Sequence, residues 1–158
     1  MIHFLKEKEC KVYAPVEGRS IPLETVPDPV FAQKMMGEGI GFEVSGDTVC
    51  APCDGELIVL MPTKHAFGIK AKNGAEILVH IGLDTVNLNG EGFTVLAAEG
   101  EKVKAHQPII RINRGLMQDR QINLTTPMVV SNMDQFEVAV NANPAVSLHD
   151  VVMTVKKK

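Results

Sequence analysis

The chain has 158 residues, a formal net charge of −3, and 45% hydrophobic and 22% charged residues. Those values suit one ordinary globular domain, expected over residues 1–158, and they exclude the basic footprint of a nucleic-acid binder. No apolar run reaches the ~20 residues that a membrane-spanning helix needs. The first ten residues lack a signal-peptide core. Three cysteines, an odd number, argue for a reducing compartment, so a cytoplasmic location is expected.

Glycine (13) and proline (9) recur at short intervals and no stretch sustains a long helical period. Both features predict an all-β fold with many short strands. In chain order, Ala14-Pro15-Val16-Glu17-Gly18 is the first turn signal, and it returns as Ala51-Pro52-Cys53-Asp54-Gly55 before a second strand-like run. The echo suggests two similar halves, or one turn solution used twice. Asp28-Pro29 supplies an N-cap and a proline at the first helical position, which predicts a short helix over 29–36. Gly37-Glu38-Gly39-Ile40-Gly41 is glycine-rich, but a phosphate-cradling loop needs a strand before it and a helix after it, and the order here is reversed. Those glycines are expected in a loop that approaches a neighbouring site closely. Strands are predicted over 41–44, 48–51, 56–61, 67–71, 76–81, 109–112, 128–131 and 151–155, with a second short helix over 114–121. The Lys156–Lys158 tail is read as a solvated terminus. Glu99 to Ile112 is similar to the protruding hairpin of biotinyl and lipoyl carrier domains. No Met-Lys or Asp-Lys turn is present to hold such a cofactor.

The most informative segment lies between Thr63 and Asp84. Asn73-Gly74 separates two β-rich runs, which is the strongest short-range hairpin signal. A two-residue turn there sets Lys72 against Ala75, His65 opposite Gly82 and His80 opposite Phe67. The two imidazoles then share a face as diagonal neighbours, with Cβ atoms roughly 7–8 Å apart. Thr63, Leu78 and Asp84 fall on the same face, and a slip of one residue would separate the histidines. Two convergent imidazoles beside a hydroxyl and a carboxylate point to a nucleophile, a base or a metal site. A zinc hydrolase using His65, His80 and Asp84 is one reading. Cys50-Ala51-Pro52-Cys53 has no second ligand pair for a structural zinc and no following helix for redox work, so it is read as packing. His3, His106 and His149 are expected on the surface without partners.

Several stretches together resemble the glucose-type IIA phosphocarriers of the bacterial phosphoenolpyruvate:sugar phosphotransferase system. They are Val26 to Ile40, Ala51 to Gly55, Pro62 to Phe67, Ile77 to Val86, Leu88 to Phe93 and Leu124 to Met133. The resemblance implies an antiparallel β-sandwich of the barrel–sandwich hybrid type with short helical turns. It also implies phosphorylation of His80, with His65 as partner imidazole and Thr63 as the hydroxyl that orients it. Asp28, Val30, Phe31, Met36, Gly37, Leu78 and Asp84 fall where the family builds its docking surface. Ile81 stands where members often have phenylalanine. HPr as donor, a IIB domain of a sugar permease as acceptor, peripheral contact with that membrane permease, and no cofactor or metal are implied. A regulatory binding protein switched by its phosphate is the alternative from another class.

Overall fold

The computed structural model describes residues 8–141 and 146–158. Thirteen strands and two short α-helices form among them, and every strand pair is antiparallel. In chain order the strands are β1 (Glu9–Tyr13), β2 (Gly18–Pro22), β3 (Glu38–Val44), β4 (Thr48–Cys50), β5 (Gly55–Leu60) and β6 (Ala66–Ala71). β7 (Glu76–His80), β8 (Phe93–Val95), β9 (Lys102–Val103), β10 (Pro108–Ile112), β11 (Thr126–Val130), β12 (Phe136–Val140) and β13 (Val151–Lys157) follow. Helix α1 is Pro29–Ala32 and helix α2 is Arg114–Asp119. The all-β expectation and the eight predicted strands hold. Both helices are shorter than expected, and β1, β2, β8, β9 and β12 are additional. β9 has only two residues, too few for a sequence period to register.

A seven-stranded sheet runs β2-β3-β11-β7-β6-β5-β9, and two three-stranded sheets run β1-β13-β12 and β4-β10-β8. Phe42, Leu57, Phe67, Ile69, Ile77, Val79, Ile110, Met128 and Val155 meet in the main core at 0–1% exposure. Each buried aliphatic or aromatic side chain of that kind contributes about 1.5–3 kcal/mol. The alternation within β6 and β7 follows from this burial. Phe67, Ile69, Ile77 and Val79 face the core, which sends Ala66, Gly68, Leu78 and His80 to the opposite face.

The repeated turn is structural. Cys50 N–H donates to Pro15 O at 2.7 Å and Tyr13 N–H donates to Pro52 O at 2.8 Å, so the two copies bond to each other crosswise. Their glycines are equivalent too. A Cβ on Gly18 would stand 2.1 Å from Glu43 O, and one on Gly55 would stand 2.2 Å from Lys70 O.

Three expectations are corrected. The hairpin between β6 and β7 has a three-residue loop, with Ala71 N–H donating to Ala75 O at 2.8 Å and Gly74 at φ +92°. The register therefore sets Ala66 against His80 and Phe67 against Val79, one residue from the expected pairing. The cause is distant in sequence. Buried Asn73 donates to Lys8 O and Val155 O, both at 3.0 Å, and its Oδ1 accepts from Ala75 N–H at 3.1 Å. Residues 99–112 do not form a protruding hairpin, because β9 pairs with β5 while β10 pairs with β4 and β8. Gly39 and Gly41 lie inside β3, where a Cβ on Gly39 would come 1.9 Å from Met128 O. The close approach is real, but the partner is strand β11. Lys156 and Lys157 extend β13 with exposed side chains.

Candidate functional site

The site sits on the outer face of the large sheet, where β7 ends. In the β7–β11 register Met128 opposes Val79, so the next position would oppose Pro127 to His80. Proline has no N–H, so the ladder stops there and the chain is free to turn. On the other side Ile81 N–H still donates to His65 O at 2.7 Å, tying the two histidine-bearing segments together. Gly82 makes the turn at φ +77°, where a Cβ would strike Thr85 Cγ2 at 2.6 Å. Thr85 itself is anchored by a bond to Ile81 O at 2.5 Å.

His80 Nδ1 lies 2.8 Å from Gly82 O. A carbonyl only accepts, so Nδ1 carries the proton and Nε2 keeps its lone pair. His65 Nδ1 lies 2.6 Å from Thr63 Oγ1. The two rings meet nearly edge to face, with centroids 4.8 Å apart at 79°. Phe31 packs on His80 from the other side at 5.1 Å. The histidines are thus brought together, although the register that predicted it was wrong. Strict alternation would turn His65 inward with Phe67. His65 instead lies before β6, after Lys64 at φ +61°, and its bond to Thr63 holds the ring toward His80.

Burial holds both imidazoles below the ordinary histidine pKa. For His80 desolvation outweighs the Gly82 bond and the fields of Asp28 and Asp84. For His65 desolvation is joined by the charge of His80. The pair is therefore neutral near pH 7.

Of the expected docking residues, Phe31, Met36 and Leu78 line one basin with the two histidines, and the charges of Asp28 and Asp84 act on His80. Asp28 caps α1 through Val30 N–H at 3.0 Å, which turns Val30 outward and Phe31 inward. Phe31, Leu83 and Val129 form a small cluster with Leu23 and Val26, and Leu78 packs on it. Gly37, at φ +133°, sits where a Cβ would be 2.2 Å from Val130 O. Gly68 opposes Leu78, and its missing Cβ leaves room for the leucine Cδ2. Asp84 is exposed in the left-handed region, at φ 58°, and starts a 3-10 turn over Thr85–Leu88. Val59, Met61 and Met36 complete an apolar basin with Phe31, Leu78 and Val129, and Met35 stands beside Met36 at 69% exposure. Val59 and Met61 were missed because 56–61 reads as an unbroken apolar strand. A bulge after Leu57 turns Val59 to the histidine face.

Other expectations resolve as follows. Among the described residues, no three His, Cys, Asp or Glu side chains come together in a way that could hold a metal ion. Cys50 and Cys53 are buried, in keeping with a packing role. His106 and His149 are not isolated: their ring centroids lie 4.5 Å apart with the planes tilted by 48°, and Tyr13 packs edge-on to His106 at 4.7 Å. His3 lies outside the described residues.

Comparison with known proteins converges on the same family. Residues 10–136 match the family described as phosphoenolpyruvate-dependent sugar phosphotransferase system, EIIA 1. The PTS system glucose-specific EIIA component of Staphylococcus epidermidis RP62A is 43% identical over 150 residues, covering 95% of this chain and 86% of that protein. Its counterpart in Staphylococcus aureus Mu50 is 46% identical over 129 residues, covering 82% and 78%. Among solved structures, glucose permease IIA from Mycoplasma capricolum superposes with a TM-score of 0.87 at 35% identity, covering 93% of this chain and 96% of that one. No helix among the described residues is long and apolar enough to cross a membrane. The chain belongs to the EIIA 1 family of the phosphoenolpyruvate-dependent sugar phosphotransferase system, a family of phosphoryl carriers.

Proposed function

We propose that His80 Nε2 is the atom that carries the phosphoryl group, taking it from phosphohistidine on HPr and passing it to a cysteine on a IIB domain in the cytoplasm. The observation that carries this reading is the bond from His80 Nδ1 to Gly82 O, which leaves Nε2 unprotonated beside a second imidazole. In each transfer one bond to phosphorus breaks as another forms roughly in line, so the protein needs position and charge stabilisation more than covalent chemistry. In this reading the Thr63 hydroxyl, 2.6 Å from His65 Nδ1, is the donor of that pair, and His65 Nε2–H is then free to donate to a phosphoryl oxygen. The two histidines then hold complementary tautomers, one nucleophile and one donor. Phe31, Leu78, Val30 and Met36 keep water from the transfer, and Asp28 and Gly37 hold the α1 segment that presents two of them. Asp84 lies at the rim, available to a partner. The relatives' names make a glucose-type permease the candidate acceptor system.

Incubation with phosphoenolpyruvate, enzyme I and HPr tests this. The expected product gains one phosphoryl group as an acid-labile, alkali-stable phosphoramidate. His80→Ala should take up none, while His106→Ala and His149→Ala should match the parent. Acid-stable phosphate, or uptake by the His80 variant, would overturn the assignment.

A further inference from the structure

The apolar basin that holds His65 and His80 is edged with thioether sulfur. Met36 and Met61 line it beside both imidazoles, at 41% and 38% exposure. Met117, Met128 and Met153 lie instead in the core at 0–1%. We propose that Met36 and Met61 form a reversible oxidation site, where conversion to methionine sulfoxide by a peroxide closes the docking surface to phosphorylated HPr. The effect on docking rests on the function proposed above, whereas the modification stands without it.

Local hydrogen bonds keep both residues at the surface. Met35 N–H donates to Val30 O at 3.0 Å and Gly37 N–H donates to Lys34 O at 3.2 Å, so the turn carrying Met36 is bonded on each side. The Lys34 ammonium in that turn is held by Glu24 at 3.1 Å and Glu38 at 2.9 Å. Met61 N–H donates to Ala66 O at 3.0 Å and Met61 O accepts from Lys64 N–H at 2.8 Å, which fixes Met61 at the start of the turn bearing Thr63 and His65. Neither methionine can withdraw into the core without breaking these bonds.

Apart from the two imidazoles, the rest of the basin is hydrocarbon, from side chains such as Phe31, Val59, Leu78 and Val129. The thioethers are the groups there that a peroxide oxidises by direct oxygen transfer. A sulfur lone pair attacks one peroxide oxygen, the S–O bond forms and the O–O bond breaks. The second oxygen takes both protons and leaves as water, so sulfur loses two electrons and the peroxide gains them. A dithiol-dependent methionine sulfoxide reductase reverses the step, removing the oxygen as water while the dithiol closes to a disulfide. Unmodified methionine suits a docking rim, because its soft, flexible chain adapts to a partner's surface. The sulfoxide is a strong dipole that an apolar partner would strip of water without supplying a donor. Affinity then falls while both histidines stay chemically intact.

The test treats the whole protein with hydrogen peroxide, returns oxidised thiols with dithiothreitol, maps oxygen by peptide mass and measures phosphate uptake against phospho-HPr concentration. Met36 and Met61 should each gain one oxygen while Met117, Met128 and Met153 gain none. The KM for phospho-HPr should rise about 10-fold, with the rate at saturation within a few fold. Methionine sulfoxide reductases A and B together should restore it, where dithiothreitol alone does not. In a variant carrying Met36→Leu and Met61→Leu, peroxide should leave KM at that variant's own starting value, although Met35 still oxidises. Unmodified Met36 and Met61, an unchanged KM after both are oxidised, or a rise that the leucine variant shares would each overturn the proposal. Val59→Asp separates the two readings. If it raises KM and oxidation does not, this inference fails and the docking surface stands; if neither raises KM, both fail. The parent and the reductase decide the matter even where the leucine variant fails to fold.

Discussion

The carbonyl of Gly82 accepts the Nδ1 proton of His80 at 2.8 Å, two residues along the same chain. That bond makes a backbone turn into the element that selects the imidazole tautomer, and so the nitrogen that keeps its lone pair. It depends on a φ of +77° that glycine alone adopts freely, in a space where a Cβ would meet Thr85 Cγ2 at 2.6 Å and Asn123 O at 3.0 Å.

Gly82→Ala should therefore damage fold and function together. Left-handed strain and the clash should cost about 1–3 kcal/mol of stability. Uptake of phosphate should fall further than stability explains, because the acceptor carbonyl is displaced. Denaturant unfolding paired with nitrogen chemical shifts of His80 checks this. An unchanged Nδ1–H tautomer in the folded variant would contradict the role given to the turn.

The two histidines should separate by role. His65→Gln should still accept phosphate from HPr, since it leaves His80, the proposed nucleophile, intact, but should deliver it poorly to the IIB domain. Loss of a positioned donor typically costs about 10²–10³ in rate. Thr63→Ala should show a milder form, because it frees the His65 tautomer without removing the ring. Rapid-quench time courses of uptake and delivery measure both steps. Equal loss of uptake in His65→Gln and His80→Ala would show that the two rings share one role.

Eight of the thirteen described strands were legible in the sequence, and so was the neighbourhood of the histidines, but the register was not. Asn73-Gly74 signals a turn through local chemistry. Whether that turn spans two or three residues is decided by Lys8 O and Val155 O, which lie far from it in sequence and capture the Asn73 side chain. The meeting of His65 and His80 survives the slip because His65 lies outside β6 and escapes its alternation. The outward turn of Val59 was not legible, because a bulge is a property of the paired strands rather than of one run.

Asn73 should accordingly act at a distance from the site. Asn73→Ala removes the partner of the half-buried Lys8 carbonyl and, in buried places, of the Val155 carbonyl and the Ala75 N–H. Each such loss costs roughly 1–3 kcal/mol, moderated by any water that enters. A drop of about 2–4 kcal/mol in unfolding free energy is expected, with phosphate uptake near normal in the folded fraction. Denaturant titration alongside the uptake assay reads both. A stability change within error would remove Asn73 as the determinant of the loop.

The pH dependence follows from burial. Burial holds both imidazoles below the ordinary histidine value of 6.5 in the folded protein, so the unfolded chain binds more protons as pH falls through that value. Stability contributed by the neutral pair is fully present above pH 6.5 and declines below it, until the folded-state histidines protonate as well. Phosphate uptake should be flat from about pH 6.5 to 8 and fall only at lower pH, when His80 Nε2 gains a proton. Proton NMR titration of the two rings, compared with uptake rates, provides the check. An uptake midpoint at or above 6.5 would mean that burial does not set the acceptor's protonation.

Docking should depend on Val59 and Met61 as much as on the α1 segment. Both belong to the apolar basin around His80, Val59 is 36% exposed and Met61 38%, and neither belongs to the main core. An aspartate at either position would be tolerated by the fold while placing a charge where a partner must exclude water. Truncation of a central apolar contact commonly costs 1–2 kcal/mol or more, so a rise of about 10-fold in the KM for phospho-HPr is expected for each variant. The chemical step, read at saturating phospho-HPr, should stay within a few fold, since the His80 tautomer is set from Gly82 and the His65 ring is held by Thr63. The opposite split, with KM unchanged and kcat reduced, would move Val59 and Met61 from the docking surface into the transfer site itself.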